Sequence, residues 1–137
     1  MEKISYGGWE NCYRVANDQI ELIITGDVGP RIIRFGFIDQ ENMLKEYPDQ
    51  LGVTESDKWL SFGGHRLWHA PESFPRTYYP DVEPVLVQEL DDGVVVTQKP
   101  EPTTGIQKQI KVSLSKTKAE VQLTHTLINH NLWAVEL

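Results

Sequence analysis

An all-β domain of antiparallel strands is what this sequence predicts, and three patterns predict it. Residues 106 to 114 alternate, with Ile106, Lys108, Ile110, Val112 and Leu114 on one face and Gln107, Gln109, Lys111 and Ser113 on the other. Residues 120 to 129 alternate in the same way, with Val121, Leu123, His125 and Leu127 in register. A period of two marks a strand with one buried face. The third pattern is Asp91-Asp92-Gly93 between the apolar runs Val82 to Leu90 and Val94 to Gln98. Asp-Gly between such runs signals a hairpin whose type I′ turn needs positive φ.

The remaining elements follow in order. Ile20-Glu21-Leu22-Ile23-Ile24-Thr25 is β-branched and apolar, and Gly29-Pro30 is a turn before a second such run, Arg31 to Ile38. Asp39-Gln40-Glu41-Asn42 is another turn, followed by a short candidate strand at Met43-Leu44. Ser115 to Ala119 closes a hairpin between the two alternating runs. In that hairpin Lys108 is the exception on the apolar face and is expected to snorkel to its edge. His125, in the apolar register, reads as a hydrogen-bonded core histidine. His130 is five residues on, so a regular strand puts it on the opposite face. Arg31 and Arg34, by the same alternation, fall on opposite faces of their strand.

Residues 46–80 differ in kind. The stretch carries Pro48, Pro71, Pro75 and Pro80 with Gly52, Gly63 and Gly64, and only Val53 to Leu60 suits a helical turn. A long irregular excursion within an all-β domain is usually functional or disordered. Trp59, Phe62, Trp68, Phe74, Tyr78 and Tyr79 argue against disorder, because disordered segments are poor in aromatics. The reading is a single β-sandwich domain over 1–137 with this excursion inserted.

Composition narrows the function. The 137 residues suffice for one domain with a real core, and the net charge of −7 makes nucleic acid a poor partner. Lys108, Lys111, Lys116 and Lys118 recur, but Glu101 and Glu120 flank them, which reads as a solvated strand face. No apolar run approaches the roughly 18 residues of a membrane span, and the first residues lack the apolar core of a secretion signal. The single cysteine, Cys12, beside a predicted strand, excludes an internal disulfide and suits a reducing, cytoplasmic setting. No phosphate-binding glycine loop and no nucleophile elbow occurs; Gly7-Gly8 and Gly63-Gly64 are bare pairs. No cofactor is implied.

The densest chemistry lies in Gly63-Gly64-His65-Arg66-Leu67-Trp68-His69-Ala70-Pro71-Glu72. The glycine pair permits positive φ or a close backbone approach, and Pro71 ends any regular element. His65, Arg66, Trp68, His69 and Glu72 are therefore the candidate ligand-binding residues. His65, His69 and Glu72 have the spacing of a metal face only on a helix, which Gly64 and Pro71 oppose, so no metal site is assigned. In an extended segment His65 and His69 share one face, and Arg66 and Trp68 share the other. An arginine beside an aromatic plane suits sugar hydroxyls, a carboxylate or a phosphate. The competing reading of each residue is structural: Trp68 as a core aromatic, Arg66 in an ion pair, Glu72 capping a turn. Tyr78 and Tyr79 either wall a groove or pack beneath the excursion.

Three stretches carry a family resemblance: Asp27-Val28-Gly29-Pro30-Arg31-Ile32-Ile33, the Gly63 to Glu72 motif, and Thr104-Gly105-Ile106-Gln107-Lys108 running on to Leu127-Ile128-Asn129-His130-Asn131-Leu132-Trp133-Ala134-Val135-Glu136-Leu137. In them the chain resembles the galactose mutarotase-like, or aldose 1-epimerase-like, superfamily, and within it a poorly characterised bacterial branch. The resemblance implies a β-supersandwich of which this chain is the N-terminal half, and a groove for a small-molecule carbohydrate. In that family a His and a Glu interconvert sugar anomers by acid–base ring opening. Both catalytic positions are expected beyond Leu137, so no catalytic residue is assigned here and the chain alone is expected to be inactive or a non-catalytic binding module. His65 and Arg66 are the matches to the groove-lining glycine loop. The apolar pattern at Asn131 to Leu137 predicts an uncovered edge or face and a homodimer through the C-terminal edge. The alternative is that the excursion folds back over the exposed face.

Overall fold

The computed structural model describes residues Met1–Leu137, and two antiparallel sheets account for its regular structure. The first contains β1 (Glu2–Tyr6), β2 (Trp9–Ala16), β3 (Ile20–Thr25), β4 (Arg31–Phe37) and the two-residue β5 (His65–Arg66), in that spatial order. The second contains β6 (Leu86–Leu90), β7 (Gly93–Thr97), β8 (Ile106–Leu114) and β9 (Val121–Asn129), also in sequence order. The predicted all-β sandwich is thus present. Helix is limited to one 3-10 turn, Arg76–Tyr78. No helix is long and apolar enough to cross a membrane.

The core between the sheets follows from the alternation. Val15, Leu22, Ile24 and Ile32 of the first sheet meet Val94, Val96, Ile110, Val112 and Leu114 of the second. Removing these β-branched and aliphatic side chains from water is the main driving term for such a sandwich. At one rim the Met1 amino group lies 2.5 Å from Glu89 Oε1, joining β1 to β6. At the other rim His65 on β5 meets His125 on β9.

The outer face of the first sheet is buried too. Trp9, Cys12, Ile23, Val28, Ile33 and Phe62 form a second cluster, flanked by Leu51, Val53 and Leu60 of the excursion. The excursion therefore folds back and covers the outer face of the first sheet within one chain, the alternative that the sequence left open. Cys12 lies inside β2 rather than beside a strand, and burial, with Asp27 second, pushes its thiol pKa up to about 11.

Gly63 and Gly64 meet both conditions that the sequence set for them. Their φ values are +100° and +73°, and a Cβ would lie 2.0 Å from Lys45 O and 2.2 Å from Ile32 O. Only glycine lets the chain turn so tightly against β4 before β5 begins.

Several other expectations need correction. Met43-Leu44 is not a strand: Met43 N–H donates to Phe35 O at 2.8 Å, but the further contacts to β4 come from the Asn42 side chain, which accepts from Phe35 N–H at 3.1 Å and donates to Ile33 O at 3.0 Å. Val53 to Leu60 holds no helical turn. The run from Val82 becomes a strand only at Leu86, after Pro84. In the β6–β7 hairpin Leu90 pairs with Gly93, so the loop is Asp91-Asp92, and Gly93 has no positive φ. Gly93 is needed instead because a Cβ would lie 1.9 Å from Val112 O. Arg31 and Arg34 do not follow simple alternation, because the β3–β4 register shifts between Ile23 and Ile24 and leaves Ile33 as an extra residue.

Candidate functional site

The residues singled out in the sequence sit where the excursion leaves β4 and crosses the end of the sandwich. Arg31 and Ile32 of β4 pair with Arg66 and His65. This short ladder fixes two basic side chains on opposite sides of one rim.

Arg66 and Trp68 do share a face. The Arg66 guanidinium stacks 4.0 Å from the Trp68 ring centroid and 4.8 Å from that of Trp59. Its Nη1 lies 3.7 Å from Asp81 Oδ2. Burial lowers the Arg66 pKa, and Asp81 opposes the shift. Tyr78 completes the aromatic group, edge-on to Trp59 at 5.4 Å and to Trp68 at 5.5 Å. Such edge-to-face packing holds rings rigidly.

His65 and His69 part company. His65 reaches β9, with its Nε2 2.7 Å from His125 Nε2. His125 is therefore not a core histidine: its register faces inward, but β9 is an edge strand and the ring is exposed. His130 bonds Gln107 on the outer face, at 2.8 Å, as the alternation predicted. His69 is 1% exposed and its Nδ1 lies 2.7 Å from Arg76 Nη1. A guanidinium N–H only donates, so Nδ1 accepts and the ring proton sits on Nε2. Burial lowers the His69 pKa, the nearby Glu101 opposing and Lys108 and Arg76 reinforcing the shift, so the ring stays neutral. Glu72 is exposed and accepts a hydrogen bond from the Tyr78 hydroxyl.

Behind His69 lies a buried ionic network that the sequence reading missed. Lys108 does not snorkel: it is 1% exposed, 3.1 Å from Asp81 Oδ1 and 2.9 Å from Glu101 Oε1. Glu101 is equally buried, not part of a solvated face, and accepts from Thr104 Oγ1 at 2.6 Å. Burial raises the Asp81 pKa against the pull of Lys108, Arg31 and Arg66. Arg31 is buried against Phe62, 5.1 Å from its ring, and donates to Ser61 O and Gly63 O. Burial brings its pKa down to about 10.

In front of this network opens a pocket of about 890 Å³. Its walls are mainly apolar: Trp59, Phe74, Tyr78, Tyr79, Ile106 and Trp133. Its polar lining is Asp57, Lys58, Arg76, Thr103, Thr104 and Asn131. A concave, mostly apolar space with a few converging polar groups is the usual form of a small-molecule site. None of His65, Arg66, Trp68, His69 and Glu72 lines it. Arg66 instead supports Trp59 and Tyr78 through the aromatic group, and His69 holds Arg76. Tyr78 and Tyr79 do wall a groove. The residues that sequence reasoning missed as pocket lining are Trp59, Arg76, Thr104 and Trp133; the aromatic content of the excursion was a signal for Trp59 alone. No group of three or more His, Cys, Asp or Glu is placed to hold a metal ion.

Fold and site together define the class: an antiparallel β-sandwich with an aromatic pocket built at one rim by a long excursion. No family model, curated protein or solved structure matches the chain.

Proposed function

We propose that this chain is a carbohydrate-binding protein of the galactose mutarotase-like kind, forming half of such a supersandwich, with its sugar in the pocket between Trp59, Tyr78 and Trp133. The pocket's lining carries this reading. Aromatic rings offer flat apolar faces for the C–H faces of a sugar ring, while Asp57, Arg76, Thr104 and Asn131 offer hydrogen bonds at its edges. The Gly63 to Glu72 motif supports it as well, because Arg66 and His69 hold the wall and the guanidinium that line the pocket.

The lining includes no His and no Glu. The resemblance assigns ring opening to a His and a Glu, so we read this pocket as one for binding rather than for anomer interconversion. Titration with galactose and glucose, followed by tryptophan fluorescence, tests the reading; saturable quenching that disappears in Trp59→Ala is the expected result. Polarimetry on freshly dissolved α-anomers should show little acceleration. A clear catalysed rate would overturn the non-catalytic assignment.

A further inference from the structure

The charge balance of the pocket points beyond a neutral sugar. The chain is acidic, with a net charge of −7, yet the pocket's charged lining is Lys58 and Arg76 against Asp57 alone. Arg76 is half-buried and belongs to none of the protein's ion pairs. Its Nη1 is spent on His69 Nδ1 at 2.7 Å and its Nη2 on Pro71 O. Both partners are uncharged acceptors: they orient the guanidinium without neutralising it. The nearest buried carboxylates are already engaged, Asp81 and Glu101 by Lys108. A guanidinium oriented by uncharged acceptors beside apolar walls keeps its charge unpaired and available to an incoming anion. Guanidinium also pairs with carboxylate and phosphate in preference to hydroxyl groups.

We propose that the pocket selects a carbohydrate bearing an anionic group, a carboxylate or a phosphate, with Arg76 as the anion contact and His69 as the residue that positions it. This rests on the carbohydrate reading of the pocket. Long-range repulsion from the acidic surface does not prevent it, because a short charge-assisted contact in a partly desolvated cleft outweighs screened charges farther away.

The test is calorimetric titration of the full chain with galactose, galacturonate and galactose 6-phosphate at fixed ionic strength. The expected result is that at least one anionic sugar binds about tenfold or more tightly than galactose, the scale of one charge-assisted hydrogen bond. The two anionic probes distinguish carboxylate from phosphate. In Arg76→Gln the preference should vanish while galactose affinity stays near its original value, and Arg76→Lys should restore part of it. Lys111→Gln, which removes a positive charge from the outer face of the second sheet, should leave the preference intact. Equal affinity for galactose and both anionic sugars overturns this proposal and leaves the carbohydrate reading standing. Failure of all three sugars to bind overturns both. If Arg76→Gln does not fold, the wild-type ratio and Arg76→Lys still decide.

Discussion

The imidazole Nε2 atoms of His65 and His125 face each other at 2.7 Å across the rim of the sandwich. The two rings belong to different sheets, and each is held by a ladder pair with a core isoleucine: His65 with Ile32, His125 with Ile110. At this distance one Nε2 must carry a proton and the other must accept it. One extra proton on the pair leaves a donor and an acceptor in place. A second leaves two N–H groups and two positive charges head to head.

The first prediction follows from that contact. Burial, then His125, then Arg31 lower the His65 pKa below the ordinary imidazole value. A group with a depressed folded-state pKa takes up more protons when unfolded, so stability falls as pH drops below about 6.5. His69, depressed mainly by burial, acts in the same direction. The unfolding temperature should therefore decline between about pH 7 and about pH 5, ahead of the ordinary range of carboxylate titration. In His125→Gln the decline should be shallower, because His65 then faces no second imidazolium. Wild-type and variant curves that run parallel would sink the idea.

The second prediction concerns Lys108, 2% exposed at the side chain and shared by Asp81 and Glu101. Lys108→Met removes the one cation within bonding distance of both buried carboxylates. Breaking a buried ion pair from one side typically costs about 3–5 kcal/mol. Urea unfolding should show a loss of that size; a loss within experimental error would mean that the network is hydrated in solution.

Lys108 also shows where sequence reading stopped. Its place on the apolar face was legible from the alternation of Ile106, Ile110 and Val112, and the structure keeps that register. Its partners were not: Asp81 is 27 residues away and reaches it only through the tertiary fold, while Glu101, seven residues before it, was read as part of a solvated face because nothing local shows that the β7–β8 connection turns its carboxylate inward. The same limit applied to His125: the inward register was readable, but edge position depends on strand order. The hairpin of β1 and β2 was readable and was passed over. Gly7-Gly8 lies between Tyr6 and Trp9, and both glycines have positive φ, as a two-residue hairpin loop requires. The Gly63 to Glu72 motif was read as a kinked, non-helical segment, but which side chains front the pocket depends on how the excursion folds back, and no local pattern records that.

A third prediction tests that folding back. Phe62 is fully buried, packs edge-on against Trp9 at 5.6 Å and lies under the Arg31 guanidinium. Phe62→Ala opens a cavity between the excursion and the outer face of the first sheet, and removes the ring that shields Arg31. Truncating a buried phenylalanine costs about 3–5 kcal/mol. Because Phe62 precedes Gly63 and Gly64, the variant should also loosen β5, so amide exchange at His65 and Arg66 should speed up relative to β7 and β8. Exchange that rises uniformly over the chain would show that the excursion and the sandwich unfold as one unit.

The last prediction concerns the edge of the second sheet. β9 pairs with β8 through nine consecutive residue pairs, from Leu114 with Val121 to Ile106 with Asn129, and its other side pairs with no strand. Edge strands are usually blunted by lysine, proline or a bulge. Val121–Asn129 contains no Lys, Arg, Asp, Glu or Pro, and its register with β8 is unbroken. The excursion covers a face of the first sheet and does not pair with this edge. Residues 131–137, whose apolar pattern predicted the unpaired edge, form no strand; the unpaired edge is β9 instead, and packing through a bare outer face of the first sheet loses its basis. Two copies meeting antiparallel along β9 would pair uncharged edges at neutral pH and extend the sheet without burying an unpaired charge. Light scattering should show a dimer whose population rises with concentration. Thr124→Lys, at an exposed position of β9, should shift it toward monomer while leaving the far-ultraviolet circular dichroism unchanged. A wild-type chain that stays monomeric at high concentration, with β9 amides exchanging as slowly as those of β8, would show that the edge is protected without a partner.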